Sequence, residues 1–172
     1  MKTARFIHAP LMALIILLAG CLPSAAEYPV LDPSAMEAKL SESKGTPTLV
    51  VFWATWCPPC MKEIPELERY KREAGDSVDI LAISVNDGPE QIDKFFGGET
   101  PLDVYRATEG LLRKRRISGI PRSDFYNASG EHLYSFEGYS PEVLHTLMRS
   151  LTHPDEFSAA EHDALRNRFP TK

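Results

Sequence analysis

The fold of this 172-residue chain is decided by the stretch Trp53-Ala54-Thr55-Trp56-Cys57-Pro58-Pro59-Cys60. An apolar run at residues 48–52 precedes it and predicts a buried strand, and the apolar spacing after it predicts a helix. Residues three apart on a helix have Cβ atoms about 5–6 Å apart, and a disulfide requires Cα atoms about 4.4–6.8 Å apart. Cys57 and Cys60 can therefore alternate between dithiol and disulfide with little backbone movement.

The predicted start of this helix controls the reactivity of the first cysteine. Cys57 falls at the N-cap position, where unpaired backbone N–H groups and the positive end of the helix dipole favour a thiolate. Pro58 suits the first helical position. Pro59 removes a second donor, which leaves the N–H of Cys60 as the donor nearest to the sulfur. We expect the thiolate to be stabilised only modestly, which favours a reductant over an oxidant.

The motif resembles the active site of the thioredoxin superfamily, and Trp56-Cys57-Pro58-Pro59-Cys60 is most similar to its extracytoplasmic TlpA/ResA/DsbE-like thiol–disulfide oxidoreductases. The resemblance covers residues 34–151. It implies a thioredoxin-like α/β three-layer sandwich, in which helices flank a central mixed β-sheet. It also implies that Cys57 is the nucleophile, that Cys60 resolves the mixed disulfide, and that no cofactor is needed. Thioredoxin has a potential of about −270 mV and DsbA one of about −120 mV, and we expect a value nearer the first.

A second motif, Gly119-Ile120-Pro121, resembles the cis-proline loop of the same family. X–Pro bonds are the peptide bonds that tolerate the cis form. The resemblance implies that this loop, with Arg122 after it, faces the cysteines and pairs with the incoming substrate peptide.

Two side chains near the cysteines each have two interpretations. Glu63, six residues after Cys57, matches an acidic residue that tunes the cysteines and relays protons in ResA-like members. Its alternative is a charge on the helix surface. Trp56 either shields one side of the cysteine pair or packs in the core.

The chain also departs from the family pattern at three places. Val51 stands where cytosolic thioredoxins have a buried aspartate. Asp124 stands where an apolar residue is usual, which predicts a shifted register or a bulge in the strand after Pro121. The N-terminal hairpin of TlpA-type members is missing, and residues 34–42 are predicted to form a helix instead.

The N-terminus has the features of an export signal. Lys2 and Arg5 precede an apolar core at residues 11–19, which is too short to span about 30 Å of hydrocarbon and is typical of a signal peptide. Leu18-Ala19-Gly20-Cys21 resembles the bacterial lipobox, which implies cleavage before Cys21 and lipid attachment to it. The alternatives are a secretory signal cut near Ala25-Ala26 and an uncleaved anchor.

These features divide the chain into four parts: a lipoprotein signal peptide (1–20), a tether (21–32), a thioredoxin-like domain (33–151) and a polar tail (152–172). Lipidation of Cys21 would leave one cysteine pair among the three cysteines. Export places that pair in an oxidising compartment, on the outer face of a bacterial membrane. The resemblance implies a membrane electron donor of the DsbD/CcdA type and exported protein substrates, with apocytochrome c among them. We expect a monomer.

The charge of the chain argues against a nucleic-acid partner. Without Lys2 and Arg5 it has 17 basic and 24 acidic residues, a net charge of about −7. The exception is the run Arg113-Lys114-Arg115-Arg116, which with Arg122 brackets the proline loop. It is either a solvated helix face or a basic rim that selects acidic partners. Under the second hypothesis, charge reversal at Arg115 and Arg122 slows reduction of an acidic substrate.

Strand and helix patterns alternate along the rest of the domain. Strands are predicted at residues 78–85, 102–107, 123–128 and 132–137, the last two joined as a hairpin, and helices at 89–96, 109–116 and from Ser140. A βαβ unit followed by a hairpin and a covering helix is an α/β sandwich. A short helix is predicted at residues 158–169 of the tail, which either packs on the domain or stays mobile.

Four other functions remain open from the sequence. The same cysteines could serve a disulfide oxidant or isomerase, with a potential well above about −200 mV. Two thiolates could carry copper or zinc, but closed zinc sites have four ligands. The histidines show no ligand spacing, and those beyond the signal are expected to face solvent, so we predict no metal. A thiol peroxidase usually has a lone cysteine, and a purely structural bridge of this size would add little stability.

Overall fold

The structure, a computed structural model, describes residues 28–171. Its strands are β1 Val30–Leu31, β2 Thr48–Trp53, β3 Asp79–Ser84, β4 Asp103–Ala107, β5 Arg122–Tyr126 and β6 His132–Glu137. Its helices are α1 Pro33–Glu42, α2 Cys60–Ala74, α3 Pro89–Phe96, α4 Glu109–Lys114, α5 Pro141–Thr152 and α6 Ala159–Arg168. The strands form one sheet in the order β1-β4-β3-β2-β5-β6. Strands β1 to β4 pair in parallel, and β5 and β6 join antiparallel. The predicted three-layer α/β sandwich is therefore confirmed.

The central strand β2 separates two apolar clusters. Its alternate side chains Leu49, Val51 and Trp53 pack with α2 and α5, whereas Val50 and Phe52 pack with α1 and α4. No residue of β2 is more than 2% exposed. Burying each large apolar side chain stabilises the fold by about 1.5–3 kcal/mol. The end of β2, where the cysteine motif begins, is thus held from both faces of the sheet.

The domain begins earlier than the sequence predicts. Val30 and Leu31 pair with the edge strand β4, and the hydroxyl of Tyr28 donates to Asp93 at 2.8 Å. The interpretation of the segment as a tether is therefore wrong for residues 28–32, because two residues are enough to extend a sheet edge without any periodic pattern. The predicted signal peptide, Cys21 and the rest of the tether lie outside the described residues.

The C-terminal tail packs on the domain. Helix α6 begins with a capping box at Ser158 and Glu161. After it, the carbonyl oxygen of Phe169 accepts a hydrogen bond from the N–H of Ser135 on β6 at 3.1 Å, and the Phe169 ring packs against Phe136. The tail thereby covers the outer edge of β6. None of the helices between residues 28 and 171 has the length and apolar character needed to span a bilayer.

Candidate active site

The two cysteines lie where β2 gives way to α2. The N–H of Cys57 donates to the carbonyl oxygen of Ala54 at 3.2 Å, which turns the chain toward the helix. A disulfide joins Cys57 to Cys60, with Cα atoms 5.2 Å apart. Cys57 is 3% exposed and Cys60 is fully buried. Cys57 therefore carries the sulfur that a partner can reach.

The helix begins later than the sequence pattern predicts. Its N-cap is Pro59 rather than Cys57, because Cys57 and Pro58 each precede a proline and are disfavoured in the helical region. Cys57 still takes part in the helical hydrogen bonding, because the N–H of Met61 donates to the carbonyl oxygen of Cys57 at 3.0 Å. The N–H of Cys60 donates to Sγ of Cys57 at 3.3 Å, which confirms the predicted donor.

The loop between α4 and β5 lies against the reactive sulfur. The Ile120–Pro121 bond is cis, which is the isomer that the resemblance implied. The carbonyl oxygen of Ile120 lies 3.7 Å from Sγ of Cys57. A Cβ at Gly119 would meet the carboxylate of Glu137, so the flexible end of that exposed side chain would have to move to make room. The loop and the cysteine pair therefore form one site.

Trp56 belongs to the surface beside this site. It is 59% exposed, so its interpretation as a core residue is wrong. Its Nε1 donates to Oδ1 of Asn86 at 3.0 Å, which holds the ring next to the cysteines. The core residue of the motif is Trp53, whose ring lies 4.9 Å from that of Phe95 and 5.5 Å from that of Phe96 between centroids.

Asp87 fixes the loop that carries the cysteines, and the sequence patterns did not identify it. Its carboxylate accepts hydrogen bonds from the N–H and the hydroxyl of Thr55 at 2.9 and 2.8 Å. It also accepts one from the hydroxyl of Ser84 at 2.8 Å. Hydrogen bonds to a charged group are worth about 1.5–3 kcal/mol each. The only sign of this role in the sequence was the run Asn86-Asp87-Gly88 directly after a buried strand. These residue types are common in turns, so the run by itself predicts a turn and no role at the site.

Glu63 is a buried group of the active-site helix and not a surface charge. It is fully buried one turn after Cys60, and its Oε1 accepts a hydrogen bond from the hydroxyl of Ser123 at 2.8 Å. Its Oε2 has no hydrogen-bond partner among the described residues. Ser123 pairs with Val51 across β5 and β2. The Glu63 carboxyl therefore lies beside the strand position at which cytosolic thioredoxins have their aspartate.

The protonation of Glu63 should make the stability of the protein depend on pH. Burial raises the pKa of Glu63 from 4.5 to about 7, although the hydrogen bond from Ser123 opposes this. The folded state then holds the proton more tightly than the unfolded chain, so stability falls as the pH rises from 4.5 to about 7. A shift of this size corresponds to about 3 kcal/mol. We expect the free energy of unfolding of Glu63→Gln, relative to the unmodified protein, to rise by about 3 kcal/mol between pH 4.5 and pH 8.

Urea unfolding of the oxidised proteins at a series of pH values measures this difference. Glu73→Gln is the matched control, because Glu73 lies on the same helix and is exposed. Its difference from the unmodified protein should not change with pH. A difference for Glu63→Gln that is equally flat would contradict the burial of an ionisable carboxyl there.

Arg122 is not at the rim of the docking loop. It is 1% exposed, and its Nε donates to Oδ1 of Asp124 at 2.7 Å and its Nη2 to the hydroxyl of Ser135 at 3.0 Å. Burial tends to raise the pKa of Asp124, but a hydrogen bond from His132 and the charge of Arg122 outweigh it and lower that pKa. The register of β5 with β2 is continuous through Asp124. The expected irregularity occurs instead between Phe125 and the next residue, on the side of β6.

Arg115 is also unavailable for a basic rim. Its side chain is 17% exposed, and its Nη2 lies 3.7 Å from Oε1 of Glu37 on α1. Its Nη1 donates to the hydroxyl of Tyr126 at 2.9 Å. The predicted rim of Arg115 and Arg122 is therefore wrong, because both guanidinium groups are used inside the fold.

Two of the histidines that were expected to face solvent have structural contacts. The ring of His132 stacks on that of Tyr126 with centroids 4.6 Å apart, and Nδ1 of His162 lies 3.0 Å from the hydroxyl of Tyr134. Within residues 28–171, no three or more His, Cys, Asp or Glu side chains are grouped so as to hold a metal ion.

Known proteins with similar sequences and folds carry related names. Residues 24–100 match the family described as AhpC/TSA family. The chain is 29% identical over 112 residues to the thiol-disulfide oxidoreductase ResA of Geobacillus kaustophilus, covering 63% of this chain and 64% of that protein. It is 28% identical over 139 residues to ResA of Bacillus subtilis, covering 78% of this chain and 76% of that protein. The match thus spans just under two thirds of the first relative and about three quarters of the second.

A solved structure agrees with these relatives. The thiol:disulfide interchange protein of the thioredoxin family from Chlorobium tepidum superposes with a TM-score of 0.56 at 28% identity. The superposition covers 65% of this chain and 83% of that chain.

Proposed function

We propose that the chain is a thiol–disulfide oxidoreductase of the ResA/DsbE type and acts as a membrane-tethered reductant of disulfides in exported proteins. The observation that carries this proposal is the arrangement of the two sulfurs. Cys57 is the outer sulfur and lies 3.7 Å from the carbonyl oxygen of Ile120, and Cys60 is buried behind it. An incoming chain that pairs with the loop would bring its own sulfur to Cys57. The lipobox-like Leu18-Ala19-Gly20-Cys21 supports the tether.

The reaction consists of two thiol–disulfide exchanges. The thiolate of Cys57 attacks one sulfur of the substrate disulfide, forms a mixed disulfide, and expels the other substrate sulfur as a thiolate. The thiolate of Cys60 then attacks Sγ of Cys57 and releases the second substrate sulfur. The substrate gains two electrons and two protons, and the Cys57–Cys60 disulfide forms. Electrons would return from a membrane thiol transporter of the DsbD/CcdA type, and apocytochrome c is one candidate substrate.

Glu63 is suited to manage the proton of the buried cysteine. A group whose pKa lies near the working pH can both accept and release a proton, and burial raises the pKa of Glu63 to about 7. Cys60 must lose its proton before it attacks, and it lies one helical turn before Glu63 in a fully buried position. Glu63 would take up that proton and pass it on. A negative charge on Glu63, one helical turn after Cys60, would also disfavour the thiolates and so favour the disulfide form.

The weak stabilisation of the outer sulfur supports the proposal that the protein acts as a reductant. Among the described residues, Sγ of Cys57 accepts one backbone hydrogen bond, from Cys60 at 3.3 Å, because Pro58 and Pro59 have no N–H. A poorly stabilised thiolate gives a reducing pair. We expect an equilibrium potential below about −200 mV and nearer to the −270 mV of thioredoxin.

Equilibration with glutathione or dithiothreitol buffers, followed by alkylation of free thiols, measures this potential. The Cys57→Ala variant serves as the blank for the assay. A potential well above about −200 mV would contradict the proposal and favour the oxidant or isomerase.

A further inference from the structure

The basic run Arg113-Lys114-Arg115-Arg116 is divided between two sides of α4. Nζ of Lys114 and Nη2 of Arg115 each lie 3.7 Å from the same oxygen of Glu37 on α1. These two cations therefore face the neighbouring helix. Arg113 on α4 and Arg116 just beyond the end of this helix both line a groove instead.

Arg113 and Arg116 border an open groove of about 510 Å³, whose floor is formed by Leu112, Ile117 and Ser118. The side chain of Arg116 is exposed and has no ion-pair or hydrogen-bond partner within residues 28–171. Arg113 is paired with Glu109 at 3.2 Å, but both side chains are largely exposed, and such pairs contribute little. Both guanidinium groups are available to an anionic partner.

A second groove of about 290 Å³ adjoins this one and extends toward the loop that carries the cysteines. It shares the same three floor residues and continues between Trp56 and Ile120. Ile120 is the residue whose carbonyl oxygen lies 3.7 Å from Sγ of Cys57. The two grooves therefore form one surface from Trp56 and Ile120, beside the cysteine pair, to the arginines, which we call the α4 groove.

The backbone at Arg116 holds this side chain at a conformational cost. Arg116 has a φ of 53°, the one positive φ of a non-glycine residue within residues 28–171. Its N–H donates to the carbonyl oxygen of Arg113 at 3.1 Å, and that of Ile117 donates to Leu112 at 3.0 Å. These bonds form a Schellman helix end, at which glycine is the usual residue. An arginine at a glycine position points to a use for its side chain.

We propose that the α4 groove binds a segment of the protein substrate that adjoins the reactive cysteine and carries acidic side chains. An apolar side chain of that segment lies between Trp56 and Ile117, and the acidic side chains meet Arg113 and Arg116. The inference rests on the proposed function and adds a substrate class to it. The charge supports the choice, because two exposed cations in the α4 groove of a chain with net charge −5 form a local cationic patch that steers acidic segments.

Two disulfide-bonded peptides test this proposal. They are identical except that one carries two Glu residues and the other two Lys residues a few positions from the reactive cysteine. We expect the reduced protein to reduce the acidic peptide roughly tenfold faster at low ionic strength, and the ratio of the two rates to shrink in about 0.5 M salt. Arg113→Glu combined with Arg116→Glu should invert the ratio.

Two further variants separate the groove from the fold and from the total charge. Arg116→Gly should lower the ratio without lowering the midpoint of thermal unfolding, because glycine suits that helix end. Lys114→Glu is the matched control for the single variants Arg113→Glu and Arg116→Glu. It makes the same change of charge in the same basic run, but on the side that faces Glu37. It should leave the ratio near that of the unmodified protein.

The outcomes distinguish this inference from the proposed function. A ratio near one for the unmodified protein overturns the inference, as does a ratio that Lys114→Glu changes as much as the groove variants do. A third result would also overturn the inference. If the variants at Arg113 and Arg116 bind phosphatidylglycerol vesicles less well but keep their preference for the acidic peptide, the groove binds the membrane rather than the substrate. If neither peptide is reduced, the proposed function fails. The groove is then judged by tryptophan fluorescence of the oxidised protein, which should still respond to the acidic peptide and not to the basic one.

Discussion

Replacement of Cys60 with alanine should turn the protein from a catalyst into a trap for its own substrates. Cys57 would still attack a substrate disulfide, but the buried thiol that releases it would be gone. Well-placed intramolecular groups act at effective concentrations of about 10⁵ M or more, so the lifetime of the mixed disulfide should increase by several orders of magnitude. We expect covalent complexes through Cys57 to accumulate in the host. Non-reducing electrophoresis and mass spectrometry of the trapped partner measure this.

The controls for this experiment use the same pair of residues. Cys57→Ala, alone or combined with Cys60→Ala, should trap nothing, because the outer sulfur makes the first attack. The complexes should be recovered with membranes if Cys21 carries a lipid, and recovery in the soluble fraction would count against the tether. The absence of complexes while Cys57 of the Cys60→Ala protein still reacts with an alkylating agent would remove the main support for the reductase.

Of the variants named here, Arg122→Ala should cause the largest loss in the free energy of unfolding. Arg122 and Asp124 are almost fully buried, and Nε lies 2.7 Å from Oδ1. Removal of the cation leaves Asp124 as a buried charge that retains only Ser135 and His132 nearby. Breaking a buried pair by removing one partner costs about 3–5 kcal/mol. Urea unfolding of the oxidised protein should show a loss of this size.

Removal of both charges provides the test of the cause. The double variant Arg122→Met with Asp124→Leu should recover most of the loss, because an apolar pair of similar volume often replaces a buried ion pair without cost. A double variant as unstable as Arg122→Ala would point to lost packing rather than an uncompensated charge. A loss below about 1 kcal/mol for Arg122→Ala would mean that the guanidinium is solvated, as in a surface pair.

Local patterns were sufficient for much of the site. The spacing of Cys57 and Cys60 and the prolines between them specify a redox pair and its single N–H donor, because all these atoms lie within one turn of chain. The alternation along β2 and the start of α5 at Ser140 depend equally on neighbouring residues, and both occur as predicted. The position of Gly119-Ile120-Pro121 opposite the cysteines came from resemblance, and chain distance alone would not have shown it.

The chemistry of the cysteine pair and the layered fold can be predicted from local patterns, since periodicity and residue spacing act over a few residues. The tertiary structure alone decided which charges are buried. Glu63 and Arg122 are both polar residues in apolar surroundings. Glu63 depends on Ser123 of β5, which is 60 residues away along the chain. Arg122 depends on Asp124 of its own strand and on Ser135, which β6 brings to it. Strand β1 is likewise defined only by its pairing with β4. In the basic run, Lys114 and Arg115 pair with Glu37 on α1, whereas Arg113 and Arg116 do not. Whether a charged side chain is buried or exposed depends on residues that are distant in the sequence, so local sequence patterns cannot predict it.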